Sequence, residues 1–396
     1  MTPMQPVPIT AYTLATALGV GRGMHAQALR EGRSGLAAKP FETVTLPTWI
    51  GEVPGVDAQA MPAGMDDFDC RNNRLALLAL QADGFEQQVL AARERWGAQR
   101  VGVFLGTSTS GILQTELAYR RRDAATGALP ADFHYAQTHN TYSVAAFVRQ
   151  HLGLQGPAFV VSTACSSSAK VFGNAARMIA LGLIDAAVVG GVDSLCLTTL
   201  YGFHSLELLS PDICRPWDAE RHGLSLGEAG AYALLERDSP SPQAWLLGCG
   251  ESSDGHHMSS PHPEGLGAAQ AMQDAVAQAG LTAQDIDYVN LHGTATPNND
   301  QAEDMAVSRV FGAVPCSSTK GATGHTLGAA GAVEAALSML SMAQQWLPGG
   351  LNVRTIDPAL QANYQCEGRA AALRHVASNS FGFGGSNACL VLRGAV

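Results

Sequence analysis

The sequence predicts an α/β fold built from two similar halves, and three observations carry that reading. Short β-rich runs that are apolar throughout alternate with Ala-rich stretches, the pattern of a sheet covered on both faces. A strand, a Ser/Thr turn and an Ala-rich helix follow one another at 159–181 and again at 314–340. Between these units, Glu236-Arg237-Asp238-Ser239-Pro240-Ser241-Pro242 breaks the pattern with charge and two prolines, which sets the halves at 1–243 and 244–396.

In chain order, Arg100-Val101-Gly102-Val103-Phe104-Leu105-Gly106 reads as a buried strand running into a Ser/Thr/Gly loop. Phe159-Val160-Val161-Ser162-Thr163 is a second, followed by a small-residue turn and a helix to about 181. Asp185-Ala186-Ala187-Val188-Val189-Gly190-Gly191 is a third. Past the joint come a helix at 267–279, a strand at Asp287-Tyr288-Val289-Asn290-Leu291 and a helix after Pro297. A strand at 314–318, a helix at 326–345 and strands at 375–379 and 388–392 complete the pattern.

With 396 residues, 46% of them hydrophobic and 15% charged, the chain can bury a large core without staples. Its net charge of −10, from 24 basic and 34 acidic residues, gives no general attraction to nucleic acid or anionic lipid. No apolar run reaches the roughly 18 residues of a membrane span, and the N-terminus lacks a basic, apolar leader. Eight scattered Cys with no CxxC pair suggest reduced thiols and a cytoplasmic protein.

Cys165, in Ser162-Thr163-Ala164-Cys165-Ser166-Ser167-Ser168, stands where a strand gives way to a helix. A thiol there feels the positive end of the helix dipole, which favours the thiolate, and its own N–H can stabilise an oxyanion. His292 in Leu291-His292-Gly293-Thr294 and His325 in Thr323-Gly324-His325 end two further strands. A duplicated sheet would converge these three groups, although a lone Cys is more often inert core and a lone loop His merely solvated. Lys320, five residues before His325, would hold both imidazoles neutral by like-charge repulsion; the plainer reading is a surface pair with Glu334. The Gly-rich Phe381-Gly382-Phe383-Gly384-Gly385 allows close backbone approach or is simply a turn. No GxGxxG or HExxH occurs. Adjacent His256 and His257 cannot both face one ion, so His256, His257 and His262 are not read as a metal site.

Taken together, these segments resemble the elongating β-ketoacyl-acyl carrier protein synthases. The resemblance is collinear through Thr163-Ala164-Cys165, Cys214-Arg215-Pro216-Trp217-Asp218, Ser252-Ser253-Asp254, His292-Gly293-Thr294-Ala295-Thr296-Pro297 with Asp300, Ser318-Thr319-Lys320 through His325 to Gly331, and Asn379-Ser380-Phe381-Gly382-Phe383-Gly384-Gly385. It implies a thiolase fold, two βαβαβαββ halves in a five-layer α-β-α-β-α stack. The implied activity is decarboxylative condensation with malonyl-acyl carrier protein, without metal or resident cofactor, the substrates riding on the carrier's phosphopantetheine arm. Cys165 would take the acyl group, His292 and His325 would stabilise the enolate, and Lys320 would tune them with support from Glu334 and Asp300. The N–H groups of Cys165 and Phe383 would form the oxyanion hole, Phe383 would be the gate, and Thr294 and Thr296 would meet the pantetheine arm. Arg71 and Arg74, at i,i+3 spacing, are the expected docking patch for the acidic carrier.

This chain departs from the family where an acyl-pocket gate is usually aliphatic and here is Thr109, and at His139 and Asn140, where the pocket wall is usually more apolar. Unpaired polar groups against alkane cost about 1–3 kcal/mol each. These residues therefore suggest a specialised acyl chain, conjugated or aryl-terminated, as in aryl polyene or polyketide pathways. A homodimer is implied, or a heterodimer with a ketosynthase-like subunit. Two rivals remain: a non-catalytic chain-length-factor-like partner, which lacks the nucleophile, and a coenzyme A thiolase. The thiolase needs a second Cys, whereas Cys389 lies within an apolar strand.

Overall fold

The computed structural model describes residues 3–395, so the first two residues of the stretch read for a leader and the last residue of the second half lie outside it. Ten strands make up two five-stranded sheets. The first half supplies β1 (Val7–Thr16), β2 (Val101–Gly106), β3 (Ala158–Val161), β4 (Ala186–Asp193) and β5 (Ala229–Glu236). The second supplies β6 (Ala244–Ser253), β7 (Tyr288–Asn290), β8 (Cys316–Ser317), β9 (His375–Gly382) and β10 (Ser386–Gly394). Their spatial orders are 3-2-4-5-1 and 8-7-9-10-6, the same order offset by five. In each half three parallel strands are followed by two antiparallel ones. The sheets meet edge to edge where Val7, Pro8 and Ile9 pair antiparallel with Leu246, Trp245 and Ala244.

The helices form three layers. Those used below are α1 (Arg71–Leu80), α2 (Ser143–His151), α3 (Ser167–Ala180), α4 (Leu197–Ser205), α5 (Leu266–Gln278), α6 (Pro297–Phe311) and α7 (Ala330–Gln344). Helices α3 and α7 occupy equivalent positions after β3 and β8 and pack together between the two sheets. Their Ala-rich faces join residues of both sheets in the largest core. Small side chains allow this approach, and Ser168 Oγ accepts the Ala332 N–H at 2.9 Å across the contact. Helices α1 and α2 cover the outer face of the first sheet, and α5 and α6 that of the second. The result is the five-layer α-β-α-β-α stack. Strands that read as uninterrupted apolar runs, such as β2 and β4, are buried along their whole length.

The observed elements follow the sequence pattern closely, with short strands clipped: 287–291 narrows to Tyr288–Asn290 and 314–318 to Cys316–Ser317. Both border the loops that carry functional side chains, where the chain leaves the ladder. The Gly-rich Phe383-Gly384-Gly385 is the turn of the β9–β10 hairpin.

One expectation is overturned here. Arg71 is not a surface docking residue but the centre of a buried ion network. Its guanidinium grips Glu228 through Nε and Nη2 at 2.8 and 2.7 Å, and also meets Asp57 at 2.6 Å and Glu52 at 2.9 Å. Glu228 is fully buried and accepts the N–H groups of Val53 and Leu195 as well. The i,i+3 spacing is real, but α1 turns Arg71 inward. Arg74 is half-buried and spent on Asp69. We expect Arg71→Met to lose about 3–5 kcal/mol of stability, because it leaves the Glu228 charge buried without a cation. Arg74→Met should lose less than about 1 kcal/mol. Urea unfolding read by circular dichroism checks both, and equal losses would contradict the assignment.

Candidate active site

Cys165 follows β3 on a strained turn. Ala164 holds φ at +51°, a conformation that costs a non-glycine residue roughly 1–3 kcal/mol and persists only where surroundings enforce it. The enforcing contacts come from the serine run. Ser167 Oγ accepts the Thr163 N–H at 2.9 Å and donates to the Ala164 carbonyl at 2.5 Å, while Ser166 Oγ donates to the Thr163 carbonyl at 2.9 Å. Gly382 of β9 lies so near that a Cβ there would come within 3.1 Å of the Cys165 nitrogen. Burial pushes the Cys165 thiol up to about 12, although the Lys320 charge and the Phe383 N–H draw it down. The pull toward thiolate expected at a helix N-terminus is thus set against the cost of burying the charge.

His325 sits at the equivalent place in the second half, ahead of α7. Its N–H donates to the Ser225 carbonyl at 2.8 Å and its carbonyl accepts the Gly227 N–H at 3.0 Å, so the short strand Leu226–Gly227 fixes its backbone. Its Nε2 lies 3.0 Å from Cys165 Sγ. His292 leaves the end of β7, and its ring stands edge-on to that of His325, centroids 5.3 Å apart.

Lys320 is fully buried beneath them, not paired at the surface. Its ammonium bonds to the buried Glu334 carboxylate, donates to the His292 carbonyl at 2.5 Å and lies 3.3 Å from His292 Nδ1. An ammonium donor at Nδ1 leaves the ring hydrogen on Nε2. Burial, and then the Lys320 charge, lower both imidazole pKa values well below the usual range. The like-charge effect expected from Lys320 is present, but desolvation is the larger cause. Burial also pushes Glu334 up to about 7 against the pull of Lys320.

A further carboxylate, which the sequence pattern did not single out, shapes the His292 turn. Glu303 on α6 accepts the N–H groups of His292 and Gly293 at 2.8 and 2.7 Å and the Asn379 amide at 3.0 Å. Its place one helical turn after Asp300 was the available signal. Asp300 accepts the N–H groups of Trp217 and Ala295 and lies 3.4 Å from Arg221, so it supports the loop without touching the cluster. Burial raises Asp300 to about 6 and Glu303 to about 7.

The cluster opens into a cavity of about 340 Å³. Cys165, His292 and His325 lie along it, with Thr294, Thr296, Phe203 and Phe383 among the other lining residues. The two threonine hydroxyls are 2.8 Å apart. The Phe383 ring stacks on Phe203 of α4, centroids 5.5 Å apart. Thr109, His139 and Asn140 do not line this cavity. The Thr109 hydroxyl is not unpaired against a pocket, for it donates to Asp193 at 2.8 Å. His139 Nδ1 meets Thr115 Oγ1 at 2.5 Å, and Asn140 Oδ1 accepts the Tyr142 N–H at 2.9 Å. The desolvation argument for acyl selectivity therefore has no footing at these positions. His256, His257 and His262 lie on the loop between β6 and α5.

Comparison with known proteins agrees with this geometry. The family model described as the N-terminal domain of β-ketoacyl synthase matches residues 4–241, and that of the C-terminal domain matches 243–354. The 3-oxoacyl-[acyl-carrier-protein] synthase 2 of Vibrio cholerae is 32% identical, over 93% of this chain and 94% of its own. Among solved structures, the ketosynthase ApeO in complex with its chain length factor ApeC from Xenorhabdus doucetiae superposes with a TM-score of 0.90 at 40% identity, covering 99% of this chain and 98% of that one. The ishigamide ketosynthase/chain length factor gives 0.89 at 26% identity, covering 99% and 100%.

The electrostatics make a test possible. Neither imidazole should titrate between about pH 5 and 8 when followed by NMR of the ring protons, since each is held neutral well below its usual value. Lys320→Met removes one cause and should move both midpoints upward, toward the ordinary value. A wild-type midpoint near that of free imidazole would contradict the assignment.

Proposed function

The chain belongs to the β-ketoacyl synthase family, and from that membership we propose that it joins an acyl group held on Cys165 to a malonyl unit by decarboxylative Claisen condensation, yielding a 3-oxoacyl thioester on an acyl carrier protein. The observation that carries this reading is the 3.0 Å contact between Cys165 Sγ and His325 Nε2, with His292 alongside and Lys320 buried beneath.

In the first half-reaction Cys165 attacks the thioester carbonyl of the carrier-borne acyl group. The tetrahedral oxyanion rests on the N–H groups of Cys165 and Phe383. The carrier thiol leaves with the proton that Cys165 gives up, while the His325 Nε2–H, 3.0 Å from the sulfur, steadies the developing thiolate. In the second half-reaction the malonyl thioester oxygen accepts hydrogen bonds from His292 and His325. The bond to the terminal carboxylate breaks, carbon dioxide leaves, and the electron pair forms an enolate held by two neutral donors. Its α-carbon attacks the acyl carbonyl, the new carbon–carbon bond forms, and the Cys165 sulfur departs as a thiolate that takes up a proton from solvent. Burial, reinforced by the Lys320 charge, keeps the imidazoles neutral, so each is a hydrogen-bond donor that need not lose its proton. Thr294 and Thr296, which line the cavity, would meet the pantetheine arm.

The partners we infer are an acyl carrier protein and a second chain of the same fold. Strand β3 ends its sheet in this chain and is half-exposed, which supports strand-to-strand pairing with such a partner. Two of the structural relatives are described with a chain length factor, which favours specialised polyketide-type elongation and a ketosynthase-like partner. The alternative of a non-catalytic partner subunit is disfavoured, because Cys165, both histidines and Lys320 are assembled.

Intact-protein mass spectrometry after incubation with a panel of acyl-carrier thioesters should show one acyl addition on the wild type and none on Cys165→Ala. Persistent acylation of that variant would overturn the role of Cys165. His292→Ala should slow malonyl decarboxylation by about 10²–10³, with a smaller effect on acylation. Equal loss in both half-reactions would remove His292 from the enolate site.

A further inference from the structure

Outside the catalytic cluster, the most heavily engaged buried charge is Asp193, the last residue of β4. Its carboxylate is fully buried, and among the described residues no Lys, Arg or His forms a salt bridge with it. It is held instead by six donors: Thr107 Oγ1, Ser108 N and Oγ, Thr109 N and Oγ1, and Gly328 N, at 2.5–2.9 Å. A desolvated carboxylate is tolerable only with such a saturated acceptor shell.

The donors come from two separate segments, the loop after β2 and the turn three residues after His325. The two carboxylate oxygens divide them unevenly. Oδ1 accepts from Thr107 Oγ1, Ser108 N and both donors of Thr109, whereas Oδ2 takes Ser108 Oγ at 2.5 Å and Gly328 N at 2.6 Å and shares the Ser108 N–H at 3.0 Å; the Gly328 N–H also reaches Ser108 Oγ at 3.3 Å. The junction has no spare room. A Cβ on Gly328 would lie 2.8 Å from Asp193 Oδ2 and 2.8 Å from the Ser108 nitrogen. Leu327, between His325 and Gly328, holds φ at +53°, a strained conformation that needs external restraint. The other side of His325 is tied to Ser225 and Gly227, just before Glu228, the residue gripped by Arg71. His325 is therefore anchored at both ends by buried carboxylates, and Asp193 supplies the anchor after it.

We propose that Asp193 is a positioning residue for the condensation: through Oδ2 it latches the Gly328 turn so that His325 Nε2 stays on Cys165 Sγ, and through Oδ1 it fixes the loop at 107–109 to the same point. This rests on the condensing role assigned to His325, but its first test does not.

The test is Asp193→Asn, which keeps shape while replacing one acceptor oxygen with a donor. The four donor contacts on the Oδ1 side outnumber those on the other, so the amide oxygen will face them and the NH₂ will face Gly328 N–H, releasing that turn. The first readout is the pH profile of Cys165 alkylation by iodoacetamide, which reports the sulfur–imidazole contact whatever reaction the enzyme performs. Its midpoint should shift relative to the wild type, and Ser108→Ala, which strips the same oxygen, should shift it the same way. Thr109→Val, which strips the other oxygen, should shift it less. In condensation, Asp193→Asn should lower kcat about tenfold or more while KM for the carrier substrate changes by less than about twofold. An unshifted alkylation profile in Asp193→Asn overturns the proposal, as does a Thr109→Val shift at least as large as that of Ser108→Ala if the Asn variant does not fold. A shifted profile with unchanged kcat overturns instead the condensing role of His325.

Discussion

The site depends on a cation placed where cations rarely go. The Lys320 ammonium lies in a water-poor interior, where its charge acts at short range with little screening. Glu334 compensates it on one side, and the His292 carbonyl and ring nitrogen accept from it on the other. Burial first, and then the Lys320 charge, hold the two imidazoles neutral, and because Nδ1 of His292 faces the ammonium, its tautomer is fixed. The enzyme thus obtains two directed hydrogen-bond donors without two positive charges, which would also attract and stabilise the very carboxylate that has to leave. Removing the cation would change the charge state of the site while leaving its shape almost intact.

Geometry of this kind requires groups from distant parts of the chain to arrive together, and the duplicated fold does this simply. Cys165 and His325 occupy equivalent turns after equivalent strands, and the helices that follow them are packed as the central layer. The internal relation between the halves brings the two turns to face each other. His292 arrives from the strand next to β8, and Phe383 from the hairpin beside Cys165. Four separate strand ends therefore build one small volume, each with a backbone fixed by strand ladders or buried carboxylates.

Much of this was legible in the sequence. The strand-turn-helix repeat, the apolar runs and the charged, proline-rich joint contain the architecture because periodicity reports directly on which faces are covered. Cys165, His292 and His325 were visible because strand-end loops carry few such side chains by accident. What was not legible depends on the rotation of an element or on a partner far away in the chain. The spacing of Arg71 and Arg74 places them near one another on α1, but not whether that side faces water or Glu228, which lies on a different element. Thr109 reads as a polar intrusion into an apolar pocket until Asp193 is seen to accept its hydroxyl. Glu303 looks like any acidic residue on a helix surface, and only the turn above it shows what the carboxylate holds.

The antiparallel contact between β1 and β6 carries a consequence for how the chain comes into being. Strand β1 ends at Thr16, yet its neighbours on either side, β5 and β6, begin only at Ala229 and Ala244, after more than half of the chain has followed. Until then this ten-residue strand has beside it only the two residues Gly19–Val20, which pair with its end. The central helix pair has the same difficulty, for α3 waits on α7 before its Ala-rich face is covered. A topology with such distant pairings folds slowly and exposes sticky surface on the way. The arrangement that gives the finished enzyme a rigid, symmetrically built centre therefore leaves apolar surface of the growing chain uncovered until its later half is made.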